Sequence, residues 1–170
     1  MRGLWIGVLV SLSLAAAAQP QPHPASGPTG RPNLILGATA ARPDSVLAGL
    51  RAYLIRNGFV LDTLDLARGL LTTRVQASGE TLPEQMKIRA VRVADGWKLT
   101  GLYLMGGPLN SGFTAFPAVF FGLNDAPAKT AFRQVEAAAR AIAGGTLRYG
   151  RAKVRFGAFT KWEDALKMPW

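Results

Sequence analysis

The sequence predicts a single α+β domain, an antiparallel sheet with its helices on one face, and three observations carry that expectation. Two segments repeat apolar residues at helical spacing, each opened by a proline and closed by glycine. Between them lie four consecutive segments of strand character, separated by turn residues, an order that favours an antiparallel sheet with helices packed against it. The chain also contains no cysteine among its 170 residues, so the apolar core alone must hold the fold.

The elements follow in order. Asn33 to Ala38 is short, apolar and bounded by Pro32 and Pro43, which reads as a first strand. Pro43 to Asn57 reads as a helix. Proline suits its first turn, Asp44 suits the positive end of the helix dipole, and Val46, Leu47, Leu50 and Leu54 fall on one face. Asn57-Gly58 stops it, because glycine enters the left-handed conformation that ends helices. Phe59 to Leu66 and Leu70 to Gln76 form a hairpin about Ala67-Arg68-Gly69, followed by a polar loop from Ala77 to Gln85. Met86 to Ala94 is a strand whose alternation slips near Ala90-Val91, which predicts a bulge. Asp95-Gly96 is a two-residue hairpin turn into Trp97 to Met105.

Gly106 to Asn124 departs from this rhythm. No charged residue occurs from Leu99 to Asn124, and Gly106, Gly107, Pro108, Gly112 and Pro117 exclude a regular helix. The chain is expected to leave the sheet here as a loop and return as a short strand. Phe113, Phe116, Phe120 and Phe121 crowd into this stretch. Either they cap the core, with Phe120 and Phe121 on opposite sides of one short strand, or they are an apolar contact surface for a partner, a membrane or a ligand.

Asp125 is expected to cap a second helix with Pro127 in its first turn. Ala131, Phe132, Val135, Ala139 and Ile142 share one face, Glu136 can pair with Arg140, and Gly144-Gly145 ends it. Thr146 to Phe159 reads as a final strand region broken at Gly150, in which Arg151, Lys153 and Arg155 alternate with apolar residues and so share one face. Thr160 with Glu163 fits a capping box for a short terminal helix. The predicted order is β-α-β-β-β-β-α, then a basic strand and a short helix, with about five to six strands in the sheet.

That order resembles the helix-grip arrangement of TATA-box-binding-protein-like domains, as used by the lipoprotein subunits of the bacterial outer-membrane barrel assembly machinery. The local match runs from Leu50 to Val75: a helix ending in Asn57-Gly58-Phe59, a strand, Asp65-Leu66-Ala67-Arg68-Gly69, then Leu70-Leu71-Thr72-Thr73. The resemblance implies a fold. The cysteine that anchors those lipoproteins is missing here, and no functional residue of the family maps onto this chain.

The N-terminus reads as a cleavable leader: Arg2, an apolar run from Leu4 to Leu14, then Ala15 to Ala18, with cleavage expected after Ala18. The apolar run is shorter than the roughly 20 residues of a membrane span. Residues 1–18 are thus assigned to a signal peptide, 19–32 to a linker rich in proline, and 33–170 to the domain, which places the mature protein outside the cytoplasm. The only histidine, His23, lies in the linker, which leaves no partner for a serine nucleophile in the domain. No phosphate-binding loop and no spacing of metal ligands is present. Neither catalytic residues nor a cofactor are expected.

Formal charge is +10. Such a surplus favours polyanions, although the arginines are dispersed and read first as a compositional bias. Two classes of function remain: a non-enzymatic envelope or secreted module that binds an envelope protein through one sheet face or through the Phe113–Leu123 segment with Phe113, Phe116, Phe120 and Phe121, or a protein that binds nucleic acid, acidic lipid or polysaccharide through Arg151, Lys153 and Arg155.

Overall fold

The computed structural model describes residues 28–77, 85–106, 113–156, 160–168 and 170. The leader, His23 and most of the proline-rich linker, and the tips of the loops that follow Ala77 and Gly106, lie outside them. The described chain runs β1 (Leu34–Gly37), α1 (Pro43–Arg56), β2 (Leu61–Asp65), β3 (Leu70–Thr73), β4 (Gln76–Ala77), β5 (Gln85–Val93), β6 (Gly96–Gly106), β7 (Phe113–Pro117), α2 (Pro127–Ile142), β8 (Leu147–Gly150) and α3 (Trp162–Lys167). The strands form one sheet in the order β2-β3-β5-β6-β1-β8, with β4 beside β5 and β7 beside β6. All pairings are antiparallel. The fold is α+β, as the alternation and the two helical stripes predict.

Helix α1 buries Val46, Leu47, Leu50 and Leu54, and α2 buries Ala131, Phe132, Val135, Ala138 and Ala139. These side chains meet Ile35, Leu71, Met86, Ile88, Ala90, Trp97, Leu99 and Tyr103 of the sheet in one apolar cluster. On β5 the buried positions Met86, Ile88 and Ala90 alternate, as a strand with one covered face requires, whereas β6 is buried at every residue from Leu99 to Leu104 and so is covered on both faces. The end of α1 is a Schellman turn. Gly58 has φ +83, its N–H bonds the Ile55 carbonyl, and the Phe59 N–H bonds the Leu54 carbonyl, while Phe59 and Leu54 are both buried. α3 lies on the other side of the sheet, where Ala165 packs with Leu104 and Ala115 against Val75, Phe156 and Trp162.

Several expectations need correction. Among the described residues the sheet has eight strands rather than about five to six, because the segment after β3 resumes as β4 and because β7 returns to the edge of β6. β3 is interrupted where the Thr73 hydroxyl accepts the Ile88 N–H, doing with a side chain what a backbone carbonyl would do in a regular ladder. β5 has no bulge. Its register with β6 is continuous from Gln85↔Leu104 to Val93↔Gly96, and the irregularity falls instead between Leu61 and Thr63 in β2. The β5–β6 turn is centred on Ala94 and Asp95, neither of which takes positive φ; the positive value, +137, belongs to Gly96, which already pairs with Val93. The helix caps are displaced as well. α2 begins after Ala126 rather than Asp125, and α3 after Lys161, neither with a side-chain cap bond. The basic strand does not form, since β8 ends at Gly150 and residues 151–156 run on outside the sheet.

Candidate functional site

The site follows from the length of β6. Its eleven residues exceed the reach of any one neighbour on its second edge. Residues Trp97 to Thr100 pair with β1, and Leu102 to Gly106 pair with β7. β1 and β7 therefore lie end to end along one edge, joined at Gly101, whose carbonyl accepts the Ala118 N–H. Glycine is required there, because a Cβ would stand 2.5 Å from the Val135 side chain and 3.1 Å from that of Ala118. On the far side of β1, β8 pairs as far as Gly150↔Leu34. The chain then continues alongside Asn33, whose amide donates to the Ala152 carbonyl at 2.9 Å and whose side-chain oxygen accepts the Ala152 N–H at 2.7 Å.

Between β7 and this continuation opens a cleft of about 690 Å³, within the roughly 300–1,000 Å³ typical of small-molecule sites. Tyr103, Phe116, Pro117, Val119 and Phe121 form its apolar part, and Arg31, Arg151 and Lys153 stand around it. No carboxylate is among the described residues that line it. Arg31 lies over the Phe121 ring at 3.6 Å from the centroid, and Phe116 stacks on Tyr103 at 5.5 Å. No ion pair joins Arg151 or Lys153 to a described residue.

The residues singled out from sequence divide accordingly. Phe116 and Phe121 line the cleft with Arg151 and Lys153, so the aromatic and basic candidates share one site. Phe120 does not line it; it turns edge-on to Phe132, centroids 5.8 Å apart, and packs on the core with Lys129 over its ring. Phe120 and Phe121 sit in the loop after β7 and not on opposite sides of a strand. The backbone of Phe113 opens β7 and pairs with Gly106; its side chain is outside the described residues. Arg155 is exposed on the extended run beyond the cleft lining. The alternation of Arg151, Lys153 and Arg155 survives as alternating exposure even though the strand is absent. Trp97 is buried and the Tyr103 ring is covered by Phe116, so neither presents a free aromatic face.

A second recess, of about 460 Å³, lies on the α3 side of the sheet among Asp62, Thr72, Lys87, Arg89 and Trp170. Sequence reasoning missed it, although the spacing of Lys87 and Arg89 already puts both on one strand face. Its charges are partnered. Lys87 donates to Asp62 at 2.7 Å, Thr72 donates to the same oxygen at 3.2 Å, and Arg89 donates to the Trp170 carbonyl at 3.4 Å. The Lys87 hydrogen bond holds the Asp62 carboxyl below its usual range. At the opposite end of the sheet the Tyr149 hydroxyl donates to Glu136 at 2.6 Å, and Arg140 donates to the same oxygen. Burial, aided by that bond, pushes the Tyr149 phenol up to about 12.

Among the described residues no group of three or more His, Asp or Glu side chains is placed to hold a metal ion, and no helix is long and apolar enough to cross a membrane. No protein-family model matches the chain, and a search of curated proteins likewise returns no match.

Proposed function

We propose that this protein is a non-enzymatic binding module of the cell envelope or exterior, which holds its partner or ligand in the cleft between β7 and residues 151–154. The supporting observation is the convergence of Phe116 and Phe121 with Arg31, Arg151 and Lys153 around one recess whose described lining holds no carboxylate. A site built from apolar side chains with a few placed charges selects for a ligand bearing both characters. The leader pattern from Arg2 to Ala18 supports an extracytoplasmic location. N-terminal sequencing of protein made with its own leader is expected to begin at Gln19; an intact Met1 in the recovered protein would contradict the location. The run from α1 through the Schellman turn to β2 and β3 is the part of the fold that supports a helix-grip assignment.

The test is photo-crosslinking in the native cells. A benzoylphenylalanine at Phe116, inside the cleft, should yield a discrete adduct. The same group at Ala48, exposed on α1, should yield none. Equal labelling from both positions, or a specific turnover measured with the purified protein, would overturn the proposal.

A second reading, polyanion binding, draws on the three cations of the cleft. It predicts retention on heparin that falls steeply as salt rises, and loss of that retention in Arg151→Ala/Lys153→Ala. Salt-independent retention would contradict it.

A further inference from the structure

The loop that follows β7 presents two apolar side chains to solvent: Phe121 is 50% exposed and Leu123 79%. Between them Gly122 takes φ +95, a conformation that turns the chain at its tip, and a Cβ there would stand 2.8 Å from that of Ala126. The loop is held in this shape from several sides. Phe120 N–H bonds the Pro32 carbonyl at 2.9 Å, Val119 N–H bonds the Ala128 carbonyl at 3.1 Å, and Ala126 N–H bonds the Leu123 carbonyl at 3.1 Å. From α2, Lys129 reaches the Gly122 carbonyl at 3.4 Å and the Asn124 side chain at 3.1 Å, while Arg133 donates to the Asn124 carbonyl at 3.1 Å and to its side chain at 3.2 Å. The exposed pair is thus displayed on a tied loop.

The charges around the tip are of nearly one sign. Arg31 covers one face of Phe121, Lys129 and Arg133 support the loop from α2, and Arg151 and Lys153 face Phe121 across the cleft. Asp125, next to the tip in sequence, is the one carboxylate on this loop. Lys129 and Arg133 bond neutral oxygens of the loop, and among the described residues no ion pair joins either of them to a carboxylate.

We infer that this tip docks onto the surface of an anionic lipid bilayer, with Phe121 and Leu123 entering the boundary between headgroups and acyl chains and the surrounding cations facing lipid phosphates. Interfacial binding combines these two terms, apolar burial and attraction to anionic lipid. Two apolar side chains ringed by long cationic ones suit a fluid headgroup layer. A protein partner would ordinarily require a broader apolar patch. The docking surface shares Phe121, Arg31, Arg151 and Lys153 with the cleft and extends beyond it through Leu123, Lys129 and Arg133, which are not part of the cleft lining.

The test is co-sedimentation of the mature protein with vesicles of phosphatidylglycerol mixed with phosphatidylcholine, and with vesicles of phosphatidylcholine alone. The expected result is partitioning at least tenfold stronger to the anionic vesicles, and a tenfold or greater loss in Phe121→Ser/Leu123→Ser with an unchanged melting temperature. Leu123→Trp adds a reporter at the tip, and its emission should shift to the blue on anionic vesicles. Two results would overturn the inference: no difference between the vesicle types, or wild-type partitioning by the serine variant together with no blue shift. If anionic vesicles and heparin bind alike and the serine variant is unaffected, the docking fails while the polyanion reading stands. If vesicles are ignored and the Phe116 crosslink persists, the docking fails while the cleft proposal stands.

Discussion

At single residues, the constraints are steric or electrostatic, and each makes a prediction. A Cβ on Gly96 would sit 2.2 Å from the Gly37 carbonyl oxygen, in backbone against backbone, where nothing flexible yields. Gly96→Ala should therefore cost well over the roughly 1 kcal/mol of an ordinary glycine effect, measured by chemical denaturation; a variant as stable as wild type would contradict the β1–β6 approach. Lys87 keeps only 14% of its side chain exposed, against 43% for Asp62. Asp62→Asn should leave that ammonium short of its partner and cost about 1 kcal/mol, the lower end of the usual range because Asp62 itself reaches water. Tyr149 gives a pH effect with a definite sign. Its phenol titrates near 12 in the fold against 10.0 ordinarily, so the folded state keeps a proton that the unfolded chain releases. The stabilisation from this group is complete below pH 10 and is lost as pH rises toward 12. Tyr149→Phe should flatten that part of the alkaline fall in melting temperature, leaving a smaller share from Tyr53, whose phenol is also raised by burial.

At the scale of elements, legibility followed the locality of the signal. α1 is readable almost to the residue, because Pro43, the Val46–Leu47–Leu50–Leu54 stripe and Gly58 all act within one turn of where they stand. Gly58→Ala should cost about 1 kcal/mol by forcing a side chain into the left-handed region, and an unchanged denaturation midpoint would contradict the Schellman turn. α2 is equally clear as a stripe. Phe132→Ala, which empties a fully buried site touched by Phe120 and Tyr149, should cost about 3–5 kcal/mol. Caps and turns were less legible. Asp125 and Asp95 carry the right chemistry one residue from where the chain uses it, since neighbouring residues compete for a cap or a turn and tertiary contacts decide. The basic strand failed because period-two alternation records which side of an extended chain faces water, whether or not a partner strand lies alongside. Just past Gly150 the backbone of Ala152 bonds the side chain of Asn33 rather than a neighbouring strand.

For the molecule as a whole, the site was visible as parts and invisible as a place. Phe116 and Arg151 are far apart in sequence, and they meet only because β6 accepts two strands in line along one edge while β8 runs past the end of β1. No local pattern encodes that arrangement; it depends on pairing between distant segments. Once it forms, two of the aromatic candidates, Phe116 and Phe121, and two of the basic ones, Arg151 and Lys153, line one cleft. The formal charge of +10 then has a local expression, because Arg31, Arg151 and Lys153 line the recess that also holds Phe116 and Phe121, with no carboxylate among the described residues of its lining. The measurement that bears most directly on this account is crosslinking from benzoylphenylalanine at Phe116, compared in the native background and in Arg151→Ala/Lys153→Ala. The account predicts a discrete adduct in the first and its loss in the second, with both proteins equally folded. An adduct of equal yield in both would contradict it, since the cations and the aromatic rings would then not belong to the same site.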